Sequence, residues 1–284
     1  DDFTAVNAIK LLQRSPDGIP WFLHVSFPGP HDPFLVTTEM RNAASDGRAW
    51  PSAQDNPHNN TPGGACAPVV DPTGTRTRCN YAAEIENLDR LFQLVLDEVE
   101  SKGQSNNTVV CIASDHGEML GDHGDVDKSK PWEGSAHVPL MCSGPGILKG
   151  QTITTPVATM DMAGTFMDYA DATAEPHMTT RSFRGLLEGK PGAVQEYRPF
   201  VSSGLANFRM VVQQVGDKQY KYICCQGSCP NPPSTAPMPK DPEEGYVEML
   251  IDIVADPYVR KRNPVRSHIS AALLIHPLTV VSCS

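Results

Sequence analysis

Apolar residues at Val6, Ile9 and Leu12 share one face of a 3.6-residue period and predict a helix over residues 4–14, stopped by the Pro and Gly of "SPDGIP". The run "WFLHVSF" (21–27) is almost continuously apolar and predicts a strand covered on both faces. A longer period over 81–102 lines up Ile85, Leu88, Leu91, Phe92, Val95, Leu96 and Val99, with Gly103 ending the helix. Strands are predicted at 108–113 and 138–142, and a helix at 159–170. Beyond about residue 195 the character changes to "RPFVSSGL", "FRMVVQQ", "KQYKYICC" and "GYVEMLIDI", four short alternating runs that predict an antiparallel sheet. Residues 40–77 read as loop, 227–242 as a Pro-rich exposed loop, and 261–284 show no clear period. Helices alternating with strands in the first part indicate an α/β sheet. Ligands in such sheets gather beyond the carboxyl ends of strands.

Composition narrows the function classes. The 284 residues carry a net charge of −10 and are 39% apolar. That balance supports a core and argues against a broad nucleic-acid surface. The longest apolar stretch, "AALLIHPLTVV", is short and interrupted by His276 and Pro277, so no membrane span is expected. The opening "DDFTAVNAIKLLQR" has no leader and reads as a processed product or a fragment. Of the eight cysteines, Cys111 and Cys142 lie in apolar runs and read as buried thiols. Cys66, Cys79, Cys224, Cys225 and Cys229 lie in loops and suit disulfides. Zinc is the other reading of "CCQGSC", but its spacing is not that of a paired knuckle. The sequons at Asn59 and Asn106 agree with secretion.

The chemistry concentrates in "SDHGEMLGDHG" (114–124), where Asp-His-Gly occurs twice. Asp115 and His116 directly follow a predicted buried strand. Gly117 permits a sharp turn and close approach to a ligand. A carboxylate beside an imidazole supplies half of a metal site's donors. The competing reading is a pair of turns with satisfied hydrogen bonds. The second trio, Asp122-His123-Gly124, falls inside the loop and is less well placed, and His123 reads as structural.

Four blocks in order, "FLHVSFPGPHDPF", "NYAAEIENLDRLFQ", "VVCIASDHGEMLGDHG" and "KSKPWEGSAHVPLMCSGPGI", resemble the sulfatase family of the alkaline-phosphatase superfamily. The resemblance continues through "TPVATMDMAGTFMDYA" and "DIVADPYVRKRN", and covers the second half of such an enzyme. It implies a partial alkaline-phosphatase-like α/β fold, a mixed sheet sandwiched by helices, over 1–195. A smaller antiparallel subdomain over 196–260 and a tail over 261–284 complete the expected organisation.

By the same resemblance, His31 contacts the sulfate and helps the leaving oxygen depart. Asp115 and His116 bind the metal, calcium in most of the family, with manganese or zinc left open by the imidazole. Lys128 matches the sulfate-binding lysine, twelve residues after His116 and five before Glu133, with Lys130 as its rival. These types suit the chemistry. Lysine is a compact point charge for a sulfate oxygen, a divalent ion polarises another, and a histidine can protonate a departing alkoxide. Glu118 and Glu133 read as loop braces. His137 stands where the family has an arginine before Val-Pro.

The family's nucleophile is a formylglycine made from a C/S-x-P-x-R motif. "CAPVV" at Cys66 has Val70 in place of the arginine and follows the Pro-His motif rather than preceding it, so Cys66 is rejected. The expected function is the metal- and sulfate-binding portion of a secreted or otherwise extracytoplasmic sulfuric ester hydrolase. It acts on a sulfate ester and is inactive without the N-terminal half that carries the nucleophile. The alternatives are a phosphonate monoester or phosphodiester hydrolase of the same superfamily, and a non-catalytic binding or scaffold remnant.

Overall fold

The computed structural model describes residues 1–45, 78–196, 200–203, 208–226 and 246–256. Of the loop predicted over 40–77, residues 40–45 are helical instead, and 46–77 lie outside these residues, as do the predicted loop at 227–242, the tail and Cys66. The chain forms two compact units, one of residues 1–109 with 120–126, the other of 110–119 with 127–284.

The first unit is helical. Helix α1 (Asp2–Arg14) buries Ala5, Ala8 and Leu12. Helix α2 (Thr38–Ser45) and the 24-residue α3 (Arg78–Ser101) follow. Both α1 and α2 pack on α3. Arg90 pairs with Asp2 at 2.9 Å, and Gln13 donates to Glu98 at 3.0 Å across the α1–α3 contact. The predicted stripe of α3 is partly revised. Leu88, Leu91 and Val99 are buried, but so are Cys79, Asn80, Ala82 and Ala83 nearer the helix start, while Ile85 is exposed. The buried face rotates along a helix this long, because a strict seven-residue register drifts about 20° per heptad on a straight helix. Phe92 is half-buried and meets Phe27 edge to face, with ring centroids 5.1 Å apart.

The predicted strand over 21–27 does not form among the described residues. Half-buried and exposed positions alternate strictly from Trp21 to Phe27, and Phe22 is exposed. That alternation has the period of a strand, but an apolar run becomes one only where a neighbour supplies ladder hydrogen bonds. At the start of the run the indole N–H of Trp21 bonds the Gln104 amide oxygen at 2.8 Å.

The second unit holds both sheets. Strands β1 (Val110–Ala113) and β2 (Leu140–Ser143) pair antiparallel, with Cys111 opposite Cys142. These two cysteines are a disulfide (S–S 2.02 Å), not the buried thiols expected from their apolar surroundings. The β1–β2 pairing sets these two residues, 31 apart in sequence, opposite each other. Cys79, Cys224 and Cys225 are also oxidised. Short α4 (Glu133–Ala136) precedes β2. Helices α5 (Asp161–Tyr169), α6 (Arg184–Leu187) and α7 (Ala193–Glu196) come after it. Phe183, Leu186, Leu187 and Ala193 form a core against Leu140 and Cys142 of β2.

The four runs beyond residue 195 form the predicted antiparallel sheet: β3 (Phe200–Ser203), β4 (Phe208–Val215), β5 (Lys218–Gln226) and β6 (Tyr246–Asp252), paired in that order. Phe208, Met210, Ile223, Cys225, Met249 and Ile251 pack with Met119 and Trp132. The sheet is thereby anchored to the two loops around α4 that carry the candidate site.

Candidate functional site

Asp115 and His116 leave the end of β1 in a tight turn. Ser114 Oγ donates to the His116 carbonyl at 2.6 Å, and the Asp115 carboxylate accepts the His116 amide at 2.9 Å. His116 Nδ1 lies 2.9 Å from the Gly117 carbonyl, which can only accept, so Nδ1 carries the proton. The lone pair then resides on Nε2, which lies 3.7 Å from Asp115 Oδ2. Two donors at that separation can both reach one cation. An imidazole whose other nitrogen is held by a backbone carbonyl is the arrangement metal-ligating histidines adopt. Asp115 is 86% exposed at the side chain, so the pair opens to solvent. The donor set thus fits a divalent ion in chemistry and orientation. Among the described residues no cluster of three or more His, Cys, Asp or Glu side chains gathers.

The turn is seated on α4. Gly117 N–H bonds the Ser135 carbonyl at 2.8 Å, and a Cβ on Gly117 would fall 2.1 Å from the Gly134 carbonyl oxygen. Gly117 is therefore required by close backbone approach, not by an unusual φ. The stretch bearing Lys128 is stitched to the same turn. Met119 N–H donates to the Asp127 carbonyl at 3.0 Å, and Asp127 N–H to Glu118 Oε1 at 2.7 Å. The Lys130 amide bonds Ser135 Oγ at 3.2 Å. Lys128 and Lys130 are both half-buried, flanking Ser129 at φ 64°. Asp115, His116 and Lys128 thus belong to one unit, and Glu118 braces the loop as expected.

His31 belongs to the other unit. It lies between two cis X–Pro bonds, Gly29–Pro30 and Asp32–Pro33. Its Nδ1 is 2.8 Å from the Asp32 carbonyl and 3.4 Å from the Asp32 carboxylate, and its side chain is about half exposed. The loop is held at both ends. The Gly29 amide bonds the Asp1 carboxylate at 3.1 Å, and Asn80 Nδ2 of α3 bonds the carbonyl of fully buried Phe34 at 3.1 Å. Nearby Glu84 is pushed up to about 7 by burial, with the Leu35 amide opposing.

The second Asp-His-Gly has a structural partner. Asp122 accepts from Arg78 Nη2 at 2.8 Å, and Arg78 Nε also bonds the Leu120 carbonyl at 3.2 Å. His123 sits in the left-handed region at φ 57°.

Sequence reasoning missed Lys221. Its side chain is 1% exposed on β5, and its Nζ lies 2.7 Å from Glu133 Oε1. The other Glu133 oxygen meets His137 Nδ1 at 3.1 Å. Burial disfavours the Glu133 charge, but the Lys221 ammonium and His137 override it and hold the carboxyl down at about 2. The hydrogen bond to Glu133 raises His137. The available signal was a lysine in the middle of "YKYICC", where a buried cation needs an anionic partner.

Comparison with known proteins identifies the family and the fold. The family model described as Sulfatase matches residues 1–172, and that described as N-sulphoglucosamine sulphohydrolase, C-terminal, matches residues 121–229. The chain is 33% identical over 167 residues to a choline-sulfatase of Rhizobium meliloti, covering 55% of this chain and 32% of that protein. It is 26% identical over 202 residues to an arylsulfatase of Clostridium perfringens, covering 67% of this chain and 42% of that one. It therefore spans less than half the length of either. Among solved structures, one reported with glycosaminoglycan metabolism by Bacteroides thetaiotaomicron superposes with TM-score 0.68 at 17% identity, covering 95% of this chain and 56% of that one. The phosphonate monoester hydrolase of Agrobacterium radiobacter superposes with TM-score 0.65 at 21% identity, covering 95% and 57%. The fold is alkaline-phosphatase-like α/β with a smaller C-terminal antiparallel sheet, and the chain belongs to the sulfatase family.

Proposed function

We propose that this chain is the metal- and sulfate-binding portion of a sulfuric ester hydrolase. The observation that carries the reading is the Asp115–His116 turn. Its carboxylate and imidazole face each other at 3.7 Å with the ring nitrogen distal to the carbonyl bond directed at the carboxylate. Asp115 and His116 hold a divalent cation, calcium on the family's precedent, with manganese or zinc suited to the imidazole. Bound there, the ion supplies Lewis-acid polarisation of a sulfate oxygen. Lys128 neutralises a second sulfate oxygen, and His31 delivers the proton that the departing alkoxide needs. The nucleophile is a formylglycine on the N-terminal half of the family's fold, which acts as this chain's partner. Alone, the 284 residues are inactive.

The division into an α/β part over 1–195, an antiparallel part over 196–260 and a tail over 261–284 belongs to the same proposal. So does an extracytoplasmic location. The Cys111–Cys142 disulfide supports it, since such bonds persist in oxidising compartments. No helix among the described residues is long and apolar enough to cross a membrane. The second reading is a phosphonate monoester hydrolase, favoured by the likeness in fold to the Agrobacterium enzyme.

Calorimetric titration of the purified chain with calcium and manganese tests the site. One ion should bind weakly, and Asp115→Ala should abolish binding while the fold is retained. Undiminished binding by Asp115→Ala would sink the assignment. Turnover of an aryl sulfate by the chain alone would overturn the claim of inactivity. Joined to an N-terminal half from a relative, the chain should cleave aryl sulfates faster than phosphonate monoesters, and the reverse preference would select the second reading.

A further inference from the structure

Lys221 is an unusual residue to find at 1% exposure. Its neighbours on β5, Tyr222, Ile223, Cys224 and Cys225, are all buried, and its side chain is almost wholly removed from bulk solvent. A buried charge persists only when paired, and the partner is Glu133, the first residue of α4. The pair joins two segments almost ninety residues apart. What rests on the backbone of α4 gives the pair its consequence. The carbonyls of Gly134 and Ser135, the next two residues, form the surface on which Gly117 rests, one by contact and one by hydrogen bond. Gly117 in turn accepts His116 Nδ1 through its own carbonyl, which sets the ring's tautomer and direction. An unbroken series of short contacts therefore runs from the Lys221 ammonium through Glu133, α4 and Gly117 to the ring of His116.

A four-residue helix has no independent stability, since helix formation is nucleated at a cost that one turn cannot offset. The backbone of α4 is instead held by Trp132, buried in the core before it, by the Lys221 bond at its first residue, and by the Ser135 hydroxyl, which accepts the Lys130 amide. Of these, only the Lys221 bond ties α4 to the C-terminal sheet through a charge. His137 also touches Glu133, but at 77% exposure it is screened by solvent and holds the carboxylate less firmly.

We propose that Lys221, acting through Glu133, is a positioning residue that fixes α4 and thereby the orientation of Asp115 and His116 toward a bound cation. It touches neither ion nor substrate. This rests on the reading of Asp115 and His116 as metal ligands. It makes the C-terminal sheet part of the apparatus that shapes the site, and not only a cover for the core.

The test uses the full 284-residue chain, with Lys221→Met and Glu133→Gln as single variants and Lys221→Met/Glu133→Leu as a double. Hydrogen exchange reads the Gly117 amide against the β4–β5 ladder amides, and calcium titration reads affinity. In each single variant the Gly117 amide should exchange faster and calcium affinity should fall about tenfold, the lower end of what loss of a ligand's supporting partner produces. The ladder should stay protected. The double variant leaves no unpaired buried charge, so its melting temperature should recover while calcium affinity stays low. Recovery of affinity together with stability, or equal loss of protection at Gly117 and throughout the ladder, would show that Lys221 is only a stabilising residue and overturn the proposal. Should Lys221→Met fail to fold, Glu133→Gln carries the same comparison. Absence of calcium and manganese binding by the unmodified chain would instead defeat the metal reading, and Gly117 exchange alone would then decide whether Lys221 positions the turn.

Discussion

The chain uses the tripeptide Asp-His-Gly twice within ten residues, and the two copies do different things. At Asp115–Gly117 the carboxylate faces outward toward the imidazole, and the glycine is pressed against backbone. At Asp122–Gly124 the carboxylate is bound to Arg78 and the histidine occupies a left-handed turn. The first copy leaves its charge available to a ligand, and the second spends its charge on an internal cation. Identical residue types therefore say little about function until their partners are known. What distinguishes the copies is that one follows a clamped strand and rests on α4, while the other is tied to the first turn of α3.

Five outcomes break or sharpen that contrast, in descending order of expected effect on stability. Removing the Cys111–Cys142 bridge as a double alanine variant should destabilise the chain by about 2–4 kcal/mol, because a loop of some thirty residues is no longer closed in the unfolded state. Urea midpoints measure this, and calcium affinity should fall with it, since β1 carries the first copy. An unchanged midpoint would mean that the ladder alone secures β1.

Gly117→Ala should cost about 1–3 kcal/mol by overpacking against the Gly134 carbonyl. The melting temperature and calcium affinity should drop together. A variant with normal melting and normal affinity would show that the Gly117–Gly134 approach is not needed.

Arg78→Ala strips the second copy of its cation. The pair is partly solvated, so the loss should be about 1 kcal/mol, with calcium affinity unchanged. A large fall in affinity would make the second copy part of the metal site and erase the contrast.

The charges around Glu133 give a pH signature. Because Glu133 is depressed to about 2 in the fold, its contribution is complete above its ordinary value of 4.5 and fades as pH falls from there toward 2. His137 is raised, so its contribution is complete below its ordinary value of 6.5 and fades as pH rises through the folded value. For a side chain so exposed the loss should be about 0.2–1 kcal/mol. From pH 5 to 9 the stability of the unmodified chain should decline by that much more than that of His137→Arg, since Glu84, raised by burial to about 7, contributes the same decline to both. An equal decline in both would place the titrating group elsewhere.

Asp115→Ala should change stability by no more than about 0.5 kcal/mol, as for an exposed surface position, while removing calcium binding. If melting falls by several degrees instead, Asp115 is an essential turn former rather than a ligand.

Periodicity and local chemistry were enough to define much of this protein. The helices α1, α3 and α5 and all four strands of the C-terminal sheet follow from spacing alone, because amphipathic burial is written in the positions of apolar residues. The order of the motifs indicated the sulfatase family, and Asp115, His116 and Gly117 were identifiable by type and by their place after a strand. Pairing was not legible. Cys111 and Cys142 looked like buried thiols until β1 and β2 set them opposite each other. Residues 21–27 looked like a strand, but strand formation depends on a neighbour that a local pattern does not contain. Arg78 with Asp122, and Lys221 with Glu133, are separated by 44 and 88 residues, respectively. Which cation meets which carboxylate at such distances is decided by how the elements pack. That is why the sequence by itself could nominate the site's side chains, and only the tertiary structure could say which of the two Asp-His-Gly copies has its charge directed outward and what holds it there.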